Sequence, residues 1–248
     1  MTMPMISPSA TRSGASPTLR PASRFVAQYR RGIDAVSGQV ATLTRTSTAT
    51  LTDSAGATVT VPHSRPRPEP RMFSGVTEIG LRVSTEDLTY PWAILPETGT
   101  FLIEGINLGT AQTSGMGLLY VGRDDQTGTR LAVRGTGTTF DVTFTNAGGL
   151  TSVATFGAVV SNGDAFQLLI HLDDDGTNQR VRIGGTDAGV PVTLSAYGTA
   201  RARSATWGTG SVLRLNRLGS AGTQGNAWLR SVVYAPGILT VADLSGVL

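Results

Sequence analysis

Most of this chain alternates apolar and polar residues with a period of two, and that alternation marks half-buried strands rather than helices. From residue 78 onward such runs recur at 78–83, 99–108, 116–121, 130–133, 138–145, 151–156, 165–172, 179–183, 190–194, 212–218 and 228–235. Between them stand Asn146 to Gly149, Ser161 to Asp164 and Asp174 to Thr177, whose Asn, Asp and Gly suit tight turns. Many short strands punctuated in this way predict an all-β fold of the jelly-roll β-sandwich type. Upstream, 39–45, 49–53 and 57–61 alternate as well, and Asp53 to Gly56 between the last two predicts a small β-hairpin. Residues 62–71, Pro-His-Ser-Arg-Pro-Arg-Pro-Glu-Pro-Arg, read as an extended polyproline-like linker. Pro4, Pro8, Pro17 and Pro21 forbid a regular helix near the N-terminus, which reads as an extended arm. The alternation breaks only at the end, where Thr240 to Asp243 forms a capping-box-like start for a short helix through Val247. The expected organisation is an anchoring arm over 1–35, a small β segment with linker over 36–75, and a β-sandwich over 76–248.

Composition narrows the function classes. Cysteine is absent, which excludes disulfides, a thiolate nucleophile and a Cys-ligated zinc. No run of about 18 apolar residues occurs and the N-terminus has no apolar signal-peptide core, so neither membrane insertion nor a signal peptide is expected. Every basic side chain is arginine, and Arg12, Arg20, Arg24, Arg30 and Arg31 all precede the first acid, Asp34. The net charge of +3 is therefore concentrated in the arm, where the five arginines predict docking into an acidic groove of another subunit. The rest of the chain is close to neutral, which speaks against a nucleic-acid-binding face.

Candidate chemistry is sparse. Asp173, Asp175 and Asn178 offer hard oxygen atoms that could hold Ca²⁺. The EF-hand spacing fails, however, because His171 and Arg182 occupy ligand positions, and a polar hairpin turn is the favoured reading. No other metal and no organic cofactor is expected. Glu104 is the one acid inside an apolar strand, and its alternation with Leu102 and Ile106 suggests a buried, arginine-paired structural role rather than a general acid. The only histidines are His63 and His171, and no Gly-x-Ser-x-Gly elbow occurs, so a Ser-His-Asp site is not expected. Tyr90 and Trp92, and Tyr197 to Trp207 with Arg201 and Arg203, combine aromatic rings and guanidinium groups in or beside loops. That combination could stack on a sugar or pack against another subunit. Trp228 and Tyr234 lie on the closing strand and are expected in the core.

Two stretches resemble known families. Residues 43–56, LTRTSTATLTDSAG, followed by Val61-Pro62, resemble a segment near the start of tailed-phage and gene-transfer-agent appendage proteins, including tail fibres and head spike fibres. Leu51 stands where an aromatic is common there, and the Arg-Pro repeat departs from the usual single motif. The body is similar to the concanavalin A-like or laminin-G-like jelly roll through Phe101 to Glu104, 166–172 with the turn 173–178, 180–185, and the closing 225–234 before 239–244. The sandwich hydrolases of that fold carry an E-x-D-x-E strand, which is absent here. Together the resemblances imply a non-enzymatic virion structural protein, a head spike, capsid decoration or tail fibre displayed on the virion surface after assembly in the host cytoplasm. They imply anchoring to capsid or tail proteins through the arm, symmetric homo-oligomers, and adhesion of the lectin-like domain to host-surface polysaccharide. A polysaccharide-degrading enzyme of the same fold and a purely architectural decoration protein without ligand are the alternatives.

Overall fold

The computed structural model describes residues 24–45, 49–52, 55, 57–62, 65–83, 87–92, 98–109, 116–123, 125, 128–136, 139–203, 211–217, 223–224 and 226–245. The first strands are β1 (Phe25–Gln28), β2 (Thr42–Thr44), β3 (Ala49–Thr52), β4 (Thr58–Val61), β5 (Pro68–Phe73), β6 (Val76–Val83) and β7 (Asp87–Pro91). Next come β8 (Gly99–Asn107), β9 (Met116–Arg123), β10 (Arg130–Gly135), β11 (Phe140–Thr145), β12 (Thr151–Thr155) and β13 (Ala165–Asp174). The chain closes with β14 (Asn178–Asp187), β15 (Val190–Val192), β16 (Arg201–Ala202), β17 (Ser211–Leu215), β18 (Thr223–Gln224), β19 (Ala227–Pro236) and the helix α1 (Val241–Ser245).

Among the described residues the strands form two large sheets. One runs β15-β14-β13-β8-β19-β6-β5, with β1 also on β19 and β16 on β14; the other runs β12-β11-β10-β9-β17-β7-β2, with β18 parallel to β9. All the other pairings are antiparallel, and β3 and β4 form a separate two-stranded sheet. The sheets face each other across one core. Phe101, Ile103, Leu168, Ile170, Val181, Ile183 and Val232 from the first sheet meet Leu119, Val121, Leu131, Val133, Val142, Phe144 and Leu213 from the second. Alternation along each strand explains why: the odd residues of β8 enter this core, while Leu102 and Ile106 join smaller apolar clusters on the sheet's other, outer face. The expected jelly-roll sandwich is the fold observed.

Strands from all three expected segments share these sheets, so 35/36 and 75/76 are not boundaries between separate units. β1 pairs along β19, with Phe25 opposite Tyr234 and Gln28 opposite Ser231, which removes residues 25–35 from the arm. Tyr29 and Ala35 are buried in the core behind it. The linker over 62–71 is likewise corrected at its end. Pro68 and Pro70 sit in β5, opposite Leu81 and Ile79, on the last strand of the sheet, where a residue without an N–H loses no ladder bond. The hairpin over 49–61 forms as expected, and its register places Thr52 opposite Thr58. Two buried arginines hold its base: Arg45 donates to the Val61 and Pro62 carbonyls and Arg67 to the Thr50 carbonyl. The capping box forms as well, since the Asp243 carboxylate accepts the Thr240 amide at 2.8 Å and the Thr240 hydroxyl accepts the Asp243 amide at 3.3 Å.

Candidate functional site

The residues singled out by sequence do not converge. Tyr90 and Trp92, expected beside a loop and free to stack on a ligand, are corrected to core residues, 0% and 6% exposed. Tyr90 meets Phe25 edge-on at 4.9 Å and donates its hydroxyl to the Ile33 carbonyl. Trp92 lies between Phe25, Phe101 and Tyr234, at 5.9, 5.9 and 5.5 Å. The physical reason is that β1, read as arm, is a strand, and its Phe25 completes the aromatic layer into which both rings point. Arg201 donates to the Thr151 carbonyl at 2.7 Å, and Arg203 pairs with Asp174 at 2.8 Å. Tyr197 is occupied by two guanidinium groups, those of Arg180 and Arg182, 4.3 and 4.5 Å from its ring centroid. Trp207, Arg12 and Arg20 lie outside the described residues. Arg24, Arg30 and Arg31 are exposed on the body.

The acidic turn between β13 and β14 is built from its own contacts. Asp175 accepts the amides of Thr177 and Asn178 at 2.9 and 2.7 Å, and these bonds lower its pKa. Asp173 pairs with Arg180 at 2.8 Å, while Asp174 accepts from the Gly176 amide and the Gln179 side chain. Among the described residues no three His, Cys, Asp or Glu side chains gather as a metal cluster. Of the calcium candidates, Asp173 is held in an ion pair and Asp175 and Asn178 are joined through the turn.

The outer face of the first sheet carries a different constellation, centred on Glu104. A β-bulge creates it. The register along β19 slips so that Leu229 faces Gly105 and Ser231 faces Glu104, leaving Arg230 as the extra residue. A bulge re-aims side chains, and here two consecutive residues reach the same face. Arg230 Nη1 and Ser231 Oγ both donate to Glu104 Oε2 at 2.6 Å, and Gln167 of the neighbouring β13 donates to Oε1 at 2.8 Å. Arg230 also donates through Nε to Glu78 of β6 at 2.7 Å, and its guanidinium lies 5.2 Å over the Phe73 ring. Glu104 is only 2% exposed, so its charge is held by partners rather than by bulk water. Glu104, Arg230, Gln167, Glu78 and Phe73, with Arg30, Ser74 and Val76, line an open groove of about 390 Å³, within the range of roughly 300–1,000 Å³ typical of small-molecule sites. Phe73 stands on Trp228, with centroids 6.1 Å apart, and forms an apolar wall at one end. Beyond the other end α1 caps the sheet through Leu244, with Leu239 and Val241 beside it.

Past that cap lies His171, whose Nε2–H donates to the Leu239 carbonyl at 2.9 Å while Nδ1 accepts the Arg182 Nε–H at 3.0 Å. These partners assign the neutral tautomer. Burial pushes the His171 pKa below 6.5 and the neighbouring Arg182 adds to this, against opposing effects of the Leu239 carbonyl and Asp173. The unfolded chain therefore takes up a proton first as pH falls. Stability contributed by the neutral imidazole is present above 6.5 and is lost as pH drops through that value toward the lower folded one. Urea midpoints measured between pH 7.5 and 5.5 should fall with pH in the wild-type chain and more shallowly in His171→Gln; equal slopes would remove His171 as the cause.

Neither a protein-family model nor a curated protein sequence matches this chain. Solved structures do. Domain 4 of AbnA, a GH43 extracellular arabinanase from Geobacillus stearothermophilus, in complex with arabinotriose, aligns at a TM-score of 0.55 and 8% identity over 90% of this chain and 96% of that one. The receptor-binding domain of botulinum neurotoxin type G aligns at 0.53 and 10% identity, over 90% of this chain and 49% of that one. The binding domain of botulinum neurotoxin DC in complex with SialylT aligns at 0.55 and 8% identity, again over 90% and 49%. The chain has their jelly-roll fold. It spans about half the length of the toxin domains and nearly all of the arabinanase domain. Identities this low establish the fold alone.

Proposed function

We propose that the protein is a non-enzymatic, glycan-adhesive structural component of a phage-type particle, with the Glu104–Arg230 groove as its saccharide site. The observation that carries the adhesive part is the groove itself. It offers an acid, an amide and a guanidinium, held by one another on a rigid sheet beside an apolar wall, and that pre-set mixture of donors and acceptors suits hydroxyl-rich ligands. Two structures of the same fold are complexes, with arabinotriose and with SialylT, which supports the choice of ligand class. Residues 43–62, resembling phage appendage proteins, carry the particle assignment, and the arm with Arg12, Arg20 and Arg24 would be its anchor to capsid or tail proteins in a homo-oligomer.

Full-length protein passed over a panel of bacterial surface polysaccharides should bind a subset, and Arg230→Met should reduce that binding about tenfold or more while also lowering the melting temperature, because it leaves Glu104 buried without its cation. Antibody against the chain should label purified particles from the source cells. Binding to no polysaccharide sinks the adhesive reading; unlabelled particles sink the virion reading. Glu78 and Glu104 share the groove and so raise the enzyme alternative, but both are acceptors of the same Arg230. Bound polysaccharide should keep its chain length on prolonged incubation, and shortened products would install the enzyme instead.

A further inference from the structure

On the reading that the groove binds saccharide, we propose that its ligand is a neutral sugar, gripped through two adjacent hydroxyl groups, and that acidic sugars are disfavoured. The hydrogen-bonding capacity left over in the cluster leads to this. Glu104 has about four acceptor positions, and three are filled, by Gln167, Arg230 and Ser231. One acceptor position remains on a carboxylate that lines the groove. Gln167 gives one amide hydrogen to Glu104 and accepts the Thr186 hydroxyl at 3.1 Å, which leaves its second N–H. Arg230 gives Nε to Glu78 and one Nη1 hydrogen to Glu104, which leaves Nη2 and the other Nη1 hydrogen.

The unused capacity is therefore one strong acceptor flanked on both sides by donors. A hydroxyl group both gives and takes a hydrogen bond, so one sugar hydroxyl can donate to Glu104 while accepting from Gln167 or Arg230. Its neighbour on the ring can accept from the remaining donor. A carboxylate or sulfate cannot complete the set, because it has no hydrogen to give to Glu104 and would be repelled by that charge. The long-range field does not reverse the preference. The carboxylates of Glu78 and Glu104 cancel the guanidinium groups of Arg30 and Arg230 among the lining residues.

The test is isothermal titration of the full-length chain with arabinotriose, a set of neutral hexose disaccharides, their deoxy analogues lacking one of two adjacent hydroxyls, and sialylated and uronic-acid oligosaccharides. At least one neutral probe should bind, its deoxy analogue and the acidic probes about tenfold or more weakly. In Glu104→Gln the new amide meets the Gln167 amide donor to donor. Neutral binding should drop about tenfold or more and the neutral-to-acidic ratio should shrink toward one, a change that general loosening of the sheet would not produce. Should Glu104→Gln fail to fold, Gln167→Met carries the same test, with loss of neutral binding expected. Tighter binding of acidic probes, abolished in Arg30→Ala, would overturn this inference and leave the adhesive reading standing. Failure of every probe, neutral and acidic, against the wild-type chain would overturn both.

Discussion

Trp228→Ala should cost about 3–5 kcal/mol of folding stability, which for a chain of this size lowers the melting temperature by roughly 6–20 °C. Trp228 is fully buried on the outer face of the first sheet, not in the core between the sheets. Its indole N–H donates to the Glu69 carbonyl at 2.7 Å, and its ring lies over Gly80, where even a methyl carbon would come within 2.4 Å of it. Truncation leaves a cavity among β5, β6 and β8 and removes the indole's hydrogen bond to Glu69, and both add to the lost transfer energy. The consequence extends to the groove, because Phe73 rests on Trp228 and Arg230 rests on Phe73. Chemical denaturation and saccharide titration of the same variant should therefore report a lower midpoint and weaker binding. A stability loss under about 1 kcal/mol would mean that the outer-face cluster is not packed as described.

Gly185→Ala should be at least as damaging. Gly185 has φ +135°, and a Cβ there would lie 1.9 Å from the Gln167 carbonyl oxygen on the adjacent strand. Backbone strain of this kind alone costs about 1–3 kcal/mol, and the overlap can be relieved only by moving β14 off β13. Gly189 is the control, with φ +83° but open space around its would-be Cβ. Gly189→Ala should cost only about 1 kcal/mol and leave the groove intact. Gly185→Ala should yield little soluble protein, or protein that has lost saccharide binding through displacement of Gln167. Equal behaviour of the two variants would contradict the pairing of β13 with β14.

The strands themselves were legible in the sequence because burial on one face writes a period of two, and the runs at 99–108, 165–172 and 228–235 fall within or nearly match β8, β13 and β19. Glu104 was legible as a buried, arginine-paired acid, since a charge between Leu102 and Ile106 needs a partner. Which arginine was not legible. Within Trp228 to Tyr234 the alternation slips by one residue at Arg230, and only that slip could have signalled a bulge bringing Arg230 and Ser231 to one carboxylate. Gln167 and Glu78 carry no local signal, because their role comes from strand order, which local pattern does not encode. Pro68 and Pro70 suggested a linker because proline is rare in sheets, yet an edge strand accepts it. Tyr90 and Trp92 misled for a related reason. Their loop-like neighbours hid the fact that Phe25, some 65 residues earlier, completes their aromatic layer.

The pairing of β1 with β19 also bears on how the chain is made. Phe25 finds Tyr234 only after the long intervening stretch has been synthesised, and the first sheet stays open along that seam until then. During translation Phe25, Val26, Ala27 and Tyr29 are apolar groups without their partners until β19 has been made. Closure over such a sequence separation is slow. A chain that lacks β19 therefore presents the apolar edge of β1 without its partner strand.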